Sequence, residues 1–301
     1  MSSCSECPSK SNCSSATENG SCSSGEPTPQ QQSTPQQVEL HELSVVRSVI
    51  GVASGKGGVG KSMVTTLLAT NLARKGYRVG ILDADITGPS IPKAFGLEER
   101  LQGYETGIFP SKTADLGIRI VSINLMLDDP EAPVIWRGPI VSGLVKQFYT
   151  DVIWDEIDVL LLDMPPGTGD VPLTIFQSIP LDGVIVVSTP QDLVSLIVKK
   201  ARTMATMMSV PVLGFVENMS FVKCPSCDEE HQLFGPGRTQ AAADALQVPL
   251  LDRMPLDPKI TEHVDAGTIE TFENNYLQGS IAAIEAILAD KPELHMRHTH
   301  A

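Results

Sequence analysis

The chain has 301 residues, of which 42% are hydrophobic and 19% are charged, a composition that is typical of a globular protein with a sizeable core. Its formal net charge of −14 repels phosphate backbones and anionic bilayers, so we expect neither nucleic acid nor a membrane as a partner. No segment approaches the roughly 20 consecutive apolar residues of a membrane span, and the N-terminus lacks the pattern of a secretory signal. These features predict a cytoplasmic location.

The first 43 residues differ in composition from the rest of the chain. They are rich in Ser, Pro, Gln, Glu and Gly and contain almost no aliphatic side chains. Such a segment buries too little surface to offset its ordering entropy, so residues 1–43 are predicted to form a disordered, cysteine-containing tail. We predict one domain over residues 44–290 and a frayed C-terminus over residues 291–301.

Short apolar runs alternate with helix-like segments from residue 45 onward. The runs are mostly continuous in hydrophobicity, which is typical of strands buried on both faces of a parallel sheet. The strands are predicted at Val45–Ser54, Arg78–Leu82, Ile118–Ile123, Val159–Leu162, Gly183–Val187 and Val212–Val216. The helices are predicted at Lys61–Lys75, Ser142–Val152, Leu193–Met208, Gln240–Leu246 and Tyr276–Leu288. This alternation predicts an α/β fold with a doubly wound, mostly parallel sheet and helices on both faces.

The segment GKGGVGKS, from Gly55 to Ser62, matches the phosphate-binding pattern GxxxxGK[ST] between a predicted strand and a predicted helix. Its glycines let backbone N–H groups point at phosphate oxygens, and the helix N-terminus adds partial positive charge. Lys61 is expected to reach the β- and γ-phosphates, and the Ser62 hydroxyl to coordinate Mg²⁺. The predicted nucleotide-binding residues are Gly55, Lys56, Gly57, Gly58, Val59, Gly60, Lys61 and Ser62.

Asp163 follows the apolar run Val159–Leu162, which is the Walker B arrangement. A carboxylate in this position projects from the carboxyl end of its strand, the edge at which ligands bind in sheets of this kind. We therefore expect Asp163 to hold Mg²⁺ through water.

A second lysine, Lys56, directly follows the first glycine of the loop. GKGGVGKS resembles the deviant Walker A motif of the class that contains MinD/ParA, the arsenite pump and the nitrogenase iron protein. The resemblance implies an ATP-dependent homodimer in which Lys56 reaches the partner's nucleotide and balances transition-state charge. It also implies that Asp85 positions the attacking water, that Asp83 lies in the outer shell of Mg²⁺, and that Asn218 reads the adenine edge.

Cys224 and Cys227 form a CPSC pair within an inserted segment, residues 221–236. Two thiolates with this spacing can grip one metal ion or one cluster edge, whereas zinc or a cluster takes about four ligands. A two-fold dimer would supply four thiolates, and pairing with the tail cysteines of the same chain is a second route. The spacing alone does not separate iron–sulfur from structural zinc, since thiolates bind both.

Six motifs in order carry a more specific resemblance: GKGGVGKS, DADITGPSIPKAFG, WRGP, LLLDMPPGTGD, ENMS and CPSC. Together they resemble the Mrp/ApbC family of iron–sulfur carrier ATPases, from about Val45 to Thr268. The resemblance implies a weak ATPase that uses ATP and Mg²⁺. It also implies a labile [4Fe–4S] cluster that Cys224 and Cys227 hold between subunits and that is delivered to apo iron–sulfur proteins.

The tail cysteines resemble a second site only in part. Eukaryotic scaffold relatives carry an N-terminal cluster site, and Cys4, Cys7 and Cys13 match its CxxC pair and third cysteine. The relatives' fourth cysteine lies upstream of that pair, whereas Cys22 lies downstream. A second metal site at these four cysteines and a tail without a stable cluster therefore both stay open.

Two other functions share parts of the pattern. A MinD/ParA-like positioning ATPase with a structural zinc site would need a basic DNA-binding surface or a basic amphipathic helix, which the acidic chain does not favour. An electron donor like the nitrogenase iron protein also bridges a cluster between subunits, but its ligand cysteines are single and far apart, unlike the CPSC pair.

Overall fold

A nine-stranded sheet forms the centre of the domain in the computed structural model, which describes residues 37–85, 90–104, 107–126, 138–167, 169–190, 210–235 and 239–293. Its strands are β1 (Val45–Ser54), β2 (Val79–Asp83), β5 (Ser111–Lys112), β6 (Arg119–Ser122), β7 (Glu156–Asp163), β8 (Gly183–Ser188), β9 (Val212–Lys223), β10 (Glu230–His231) and β11 (Leu250–Pro255). The strands β3 (Gln102–Tyr104) and β4 (Gly107–Phe109) form a separate antiparallel pair.

The spatial order of the sheet is β10-β9-β8-β1-β7-β2-β6-β5, with β11 paired to β9. The pairs β8–β1, β1–β7, β7–β2 and β2–β6 are parallel. The pairs of β9 with β8 and with β11 are also parallel. The pairs of β5 with β6 and of β10 with β9 are antiparallel. The structure therefore confirms the predicted mostly parallel sheet.

Helices cover both faces of this sheet. Their bounds are α1 (Lys61–Arg74), α2 (Ser90–Ala94), α3 (Gly138–Thr150), α4 (Asp170–Ser178), α5 (Thr239–Leu246), α6 (Pro258–Asp265) and α7 (Gln278–Ala289). The core between the sheet and α1, α2, α6 and α7 is separate from the core beneath α3, α4 and α5. Among the described residues, no helix has both the length and the apolar character needed to cross a bilayer.

The side chains of β1 show why the central strands are continuously apolar. Ile50 and Val52 pack into the core beneath α1, whereas Val49 and Ala53 pack into the opposite core. Because both faces are covered, polar alternation would bury unpaired polar groups on one side. The apolar runs are thus a direct consequence of the doubly wound arrangement.

The structure extends one predicted strand and adds elements that the sequence did not predict. The strand predicted at Val212–Val216 continues as β9 to Lys223, because β8, β11 and β10 each pair with part of it. The helices α2, α4 and α6 and the strands β10 and β11 were not predicted. The helix predicted at Leu193–Met208 lies outside the described residues.

Both ends of the described domain make contacts. Val38 and Leu40, which the sequence assigns to the tail, pack against the core beneath α3, and the Val38 N–H donates to the Ser178 carbonyl at 2.9 Å. At the other end, the Lys291 ammonium donates to the Arg47 carbonyl at 2.6 Å and pairs with Asp182 at 2.6 Å. The packed region therefore begins before residue 44 and continues past residue 290.

Replacing Trp154 by Ala is expected to lower the free energy of unfolding by about 3–5 kcal/mol, because it leaves a large cavity in a dense core. Trp154 is fully buried, and its Nε1–H donates to the Phe148 carbonyl at 3.2 Å. Chemical denaturation followed by circular dichroism measures the change. The matched control is Tyr104→Ala, whose ring is 60% exposed and whose removal should cost no more than about 1 kcal/mol. Equal losses in the two variants would contradict the prediction.

Candidate nucleotide site and cysteine hairpin

The glycine-rich loop joins the carboxyl end of β1 to the first residue of α1. Gly58 and Gly60 both have a φ of +77°, a conformation that side chains other than glycine rarely adopt. No side chain caps the N-terminus of α1, and its first turn contains no acidic residue. Free N–H groups and the partial positive charge of the helix therefore meet at this point, which makes it an anion-binding site.

The loop borders a cavity of about 330 Å³. The loop residues Gly57 to Ser62 line it on one side, and Asp85, Ser90 and Pro166 line it further round. The cavity lies at the carboxyl end of β1 and β7, which is the edge where ligands bind in parallel sheets. Its position matches the predicted nucleotide site.

Lys61 and Asp163 form an ion pair below this cavity. The Lys61 ammonium lies 2.7 Å from Asp163 Oδ2 and 3.3 Å from Asp85 Oδ2. Asp163 is fully buried and also accepts hydrogen bonds from the hydroxyls of Ser62 (2.6 Å) and Thr65 (2.8 Å). The structure thus brings together Lys61, Ser62, Asp85 and Asp163, four of the residues that the sequence singled out.

The sequence did not single out Thr65, although a signal for it exists. Thr65 lies four residues after Lys61 and therefore on the same face of α1. Its hydroxyl contacts Asp163 Oδ1, so that both oxygens of this carboxylate are engaged. Thr65 holds the carboxylate in one orientation relative to the loop.

Asp83 lies one layer deeper than Asp85. It is 2% exposed, accepts from the Ser122 hydroxyl at 2.8 Å and from the Asp85 N–H at 3.1 Å, and is not among the residues that line the cavity. Burial, together with the nearby charge of Asp163, raises the pKa of Asp83 to about 8. Its contacts fix the backbone from which Asp85 projects, and its predicted place in the outer shell of Mg²⁺ stays a prediction.

Asn218 lies in the middle of β9 and is fully buried. Its Nδ2 donates to the Val59 carbonyl at 2.9 Å, and its Oδ1 accepts from the Met219 N–H at 2.9 Å. The side chain therefore contacts the back of the phosphate-binding loop. That Asn218 reads the adenine edge stays a prediction.

Lys56 is half-buried at the start of the loop, and its carbonyl accepts from the Ser54 hydroxyl at 3.0 Å.

The turn that follows β7, the strand that ends at Asp163, is hydrogen-bonded to the base of the phosphate-binding loop through the backbone. The Gly167 N–H donates to the Ser54 carbonyl at 2.8 Å, and Gly167 has a φ of +91°. The glycine turn after Asp163 therefore contacts the base of the loop.

Cys224 and Cys227 lie in the turn of the β9–β10 hairpin. The Cys224 N–H donates to the Glu229 carbonyl at 2.9 Å, and the Asp228 N–H donates to the Cys224 carbonyl at 3.0 Å. Cys224 is half-buried and Cys227 is exposed, and both are free thiols. Hydrogen bonds from the Ser226 backbone, and further ones from Cys227, lower the pKa of Cys224. This turn presents two thiols, one of them already biased toward the thiolate.

Several predicted features lie outside the described residues. These are the tail with Cys4, Cys7, Cys13 and Cys22, the segment that follows Asp85, Trp136 of the WRGP motif, and Thr168. Within the described ranges, no group of three or more His, Cys, Asp or Glu side chains is arranged to hold a metal ion. The two hairpin thiols therefore do not form a full ligand set with described neighbours.

Comparison with known proteins agrees with a P-loop nucleotide site in this chain. A family model described as NUBPL iron-transfer P-loop NTPase matches residues 45–289. The iron-sulfur cluster carrier protein of Clostridium perfringens is 45% identical, over 90% of this chain and 95% of that one. The protein of the same name from Methanocaldococcus jannaschii is 46% identical, over 88% of this chain and 87% of that one.

Solved structures show the same relationship. A nucleotide-binding protein from Archaeoglobus fulgidus in complex with ADP is 41% identical, with a TM-score of 0.70 over 77% of this chain and 91% of that one. The septum site-determining protein MinD from Pyrococcus horikoshii, complexed with Mg-ADP, is 23% identical, with a TM-score of 0.53 over 81% of this chain and 96% of that one. It shares the fold of this chain. The chain belongs to the NUBPL iron-transfer family of P-loop NTPases, as its ordered motifs indicated.

Proposed function

We propose that this protein binds and hydrolyses ATP with Mg²⁺ and, as a cytoplasmic homodimer, carries a labile [4Fe–4S] cluster to apo iron–sulfur proteins. The cluster is cargo, held by Cys224 and Cys227 of each copy. The observation that carries the proposal is the course of β9. One strand bears Asn218, which contacts the phosphate-binding loop, and ends at the exposed hairpin that presents the two thiols.

The charges of the nucleotide site fit ATP and Mg²⁺. The Ser62 hydroxyl and the Asp163 carboxylate are 2.6 Å apart and are oxygen ligands of the kind that Mg²⁺ prefers. Lys61, which here neutralises Asp163, would pair with the β- and γ-phosphates. The loop N–H groups and the uncapped start of α1 would take the remaining phosphate oxygens.

Asp85 is the residue best placed to orient water for attack on the γ-phosphorus. Its carboxylate lines the cavity 3.3 Å from the Lys61 ammonium, and its backbone N–H is held by the buried Asp83. The attacking oxygen forms the new bond to phosphorus as the bond to the β-phosphate oxygen breaks, and the proton leaves with phosphate. Asp85 acts by positioning, because the reaction requires little covalent chemistry from the protein.

A homodimer completes both sites. One chain offers two thiols in the hairpin, and a two-fold axis beside that hairpin would bring four together, which is the usual number for a [4Fe–4S] cluster. Lys56 would enter the partner's nucleotide site and balance the charge that develops on the transferred phosphoryl group. The exposure of Cys227 suits a cluster that must be given up to an acceptor.

Two elements connect the sites. The glycine turn after Asp163 contacts the base of the loop through the hydrogen bond from Gly167 to Ser54, and would respond to the γ-phosphate. The strand β9 runs from Asn218 to the hairpin. We infer that nucleotide state alters the hairpin through these elements and thereby controls cluster retention.

The decisive experiment is anaerobic reconstitution with iron and sulfide. The hairpins of the wild-type dimer should together bind about four iron and four labile sulfide, with a charge-transfer absorption band. The double variant Cys224→Ala/Cys227→Ala should lose these four iron and four sulfide, because the remaining described residues offer no replacement ligand set. Iron, sulfide and zinc are measured in each sample.

The matched control replaces the four tail cysteines, Cys4, Cys7, Cys13 and Cys22, by Ser. We expect the hairpin cluster to survive this change. Wild-type protein that holds zinc and no labile sulfide would instead indicate a P-loop switch with a structural zinc site, and the carrier function would be rejected.

Thr65→Val tests how Asp163 is held. The variant keeps the shape of the side chain but removes the hydroxyl that donates to the buried carboxylate, so stability should fall by about 1–3 kcal/mol and Mg-ATP should bind more weakly. Denaturation and calorimetric titration measure the two effects. In the control Thr70→Val, the lost bond runs only to the Leu67 carbonyl within α1, and Mg-ATP affinity should stay unchanged. Equal affinity in wild type and Thr65→Val would show that Thr65 does not orient a magnesium ligand.

Lys56→Ala tests the dimeric ATPase. Because Lys56 is proposed to act on developing charge, its loss should lower kcat by about 10²- to 10³-fold and change the affinity for ATP little. Steady-state phosphate release and equilibrium ATP binding separate the two effects. If the affinity for ATP falls by as much as kcat, Lys56 contributes to binding of the ground state, and the prediction is wrong.

A further inference from the structure

The orientation of the Asn218 side chain is fixed by its two partners. Nδ2 faces the Val59 carbonyl, which only accepts, and Oδ1 faces the Met219 N–H, which only donates, both at 2.9 Å. The flipped amide would place acceptor against acceptor and donor against donor. The side chain is 0% exposed, so water does not compete for either bond.

The peptide between Val59 and Gly60 transmits this orientation to the cavity. In a trans peptide the C=O and the N–H point in opposite directions, and no cis peptide occurs in the described chain. Asn218 draws the Val59 carbonyl toward β9, so the Gly60 N–H points away from β9. Gly60 lines the cavity, and N–H groups of such loops bind phosphate oxygens.

We infer that Asn218 is a positioning residue that aims the Gly60 N–H at the phosphates of the bound nucleotide through its hydrogen bond to the Val59 carbonyl. This inference rests on the proposed ATP site and adds a role that the sequence motif did not suggest. The bond from Nδ2 holds the peptide in the orientation that phosphate binding requires before the ligand arrives. The loop therefore loses its conformational entropy when the protein folds and not when the nucleotide binds.

The contact between loop and strand is close enough to require glycine at position 60. A Cβ added to Gly60 would lie 2.2 Å from Asn218 Nδ2, and the φ of +77° independently disfavours a side chain. Met219, whose N–H fixes the Asn218 amide, has a φ of +54°, which is costly for a residue other than glycine. The strained residue of β9 is thus the one whose N–H orients the Asn218 amide.

The test compares two ligands, Mg-ATP and Mg-tripolyphosphate, which has the phosphates but no base. Asn218→Asp keeps the size of the side chain but places a carboxylate oxygen against the Val59 carbonyl, so the donor is lost. We expect the affinities for both ligands, measured by calorimetric titration, to fall by about 10- to 100-fold. If only the affinity for Mg-ATP falls, Asn218 reads the base and the inference is wrong.

A spectroscopic measurement separates positioning from general loss of structure. In ¹⁵N-glycine-labelled wild type, tripolyphosphate should shift the Gly60 amide resonance, and in Asn218→Asp that shift should be lost while other loop glycines still respond at saturating ligand. An unchanged Gly60 response in the variant would overturn the inference. If Asn218→Asp does not fold, Asn218→Ala is measured in the same way, with the same two outcomes.

Asn71→Asp is the matched control. Asn71 is 5% exposed, and its Nδ2 donates to the Tyr276 carbonyl at 3.0 Å and to Asn274 Oδ1 at 2.9 Å, away from the cavity. The variant loses two donated bonds of the same kind and should keep wild-type affinity for both ligands. A loss equal to that of Asn218→Asp would show a general effect and overturn the inference. Wild-type protein that binds neither ligand would reject the proposed ATP site itself.

Discussion

The buried ion pair between Lys61 and Asp163 is the interaction on which the arrangement of the nucleotide site depends. Both side chains are almost fully removed from water, so each charge needs the other, and removing one partner would leave an uncompensated buried charge. The pair joins the first residue of α1 to the last residue of β7. The hydroxyls of Ser62 and Thr65 add two further bonds to the same carboxylate, so the loop, helix and strand take one relative position.

The parallel register of the sheet brings the other carboxylates to this pair. Asp83 lies beside Asp163 in the β2–β7 register, and the repulsion between them, added to burial, keeps the pKa of Asp83 high. Asp85, two residues on, reaches the cavity and the Lys61 ammonium. Neighbouring carboxylates on one sheet edge therefore take different roles because their burial differs.

The strand β9 relates the buried nucleotide site to the exposed hairpin. At its middle, Asn218 contacts the loop through a fully buried hydrogen bond, and at its end the backbone turns at Cys224. Burial suits the first position, where geometry must be fixed before a ligand binds. At the second position the Cys227 thiol is exposed. One continuous strand joins the two positions, since it pairs with β8 and β11 between Val212 and Phe221 and with the short β10 only at its last two residues.

The sequence alone determined the elements whose signals are local. The apolar strands, the glycine loop with Lys61 and Ser62, Asp163 at a strand end, and the CPSC pair are all readable from spacing, because neighbours in the chain create them. Only the tertiary structure decided which groups meet. The contact of Asn218 with Val59 joins residues 159 positions apart, and Ser122 with Asp83 joins residues 39 apart. The length of β9 likewise follows from its pairing partners. Such contacts depend on sheet register and helix packing, which no local pattern contains.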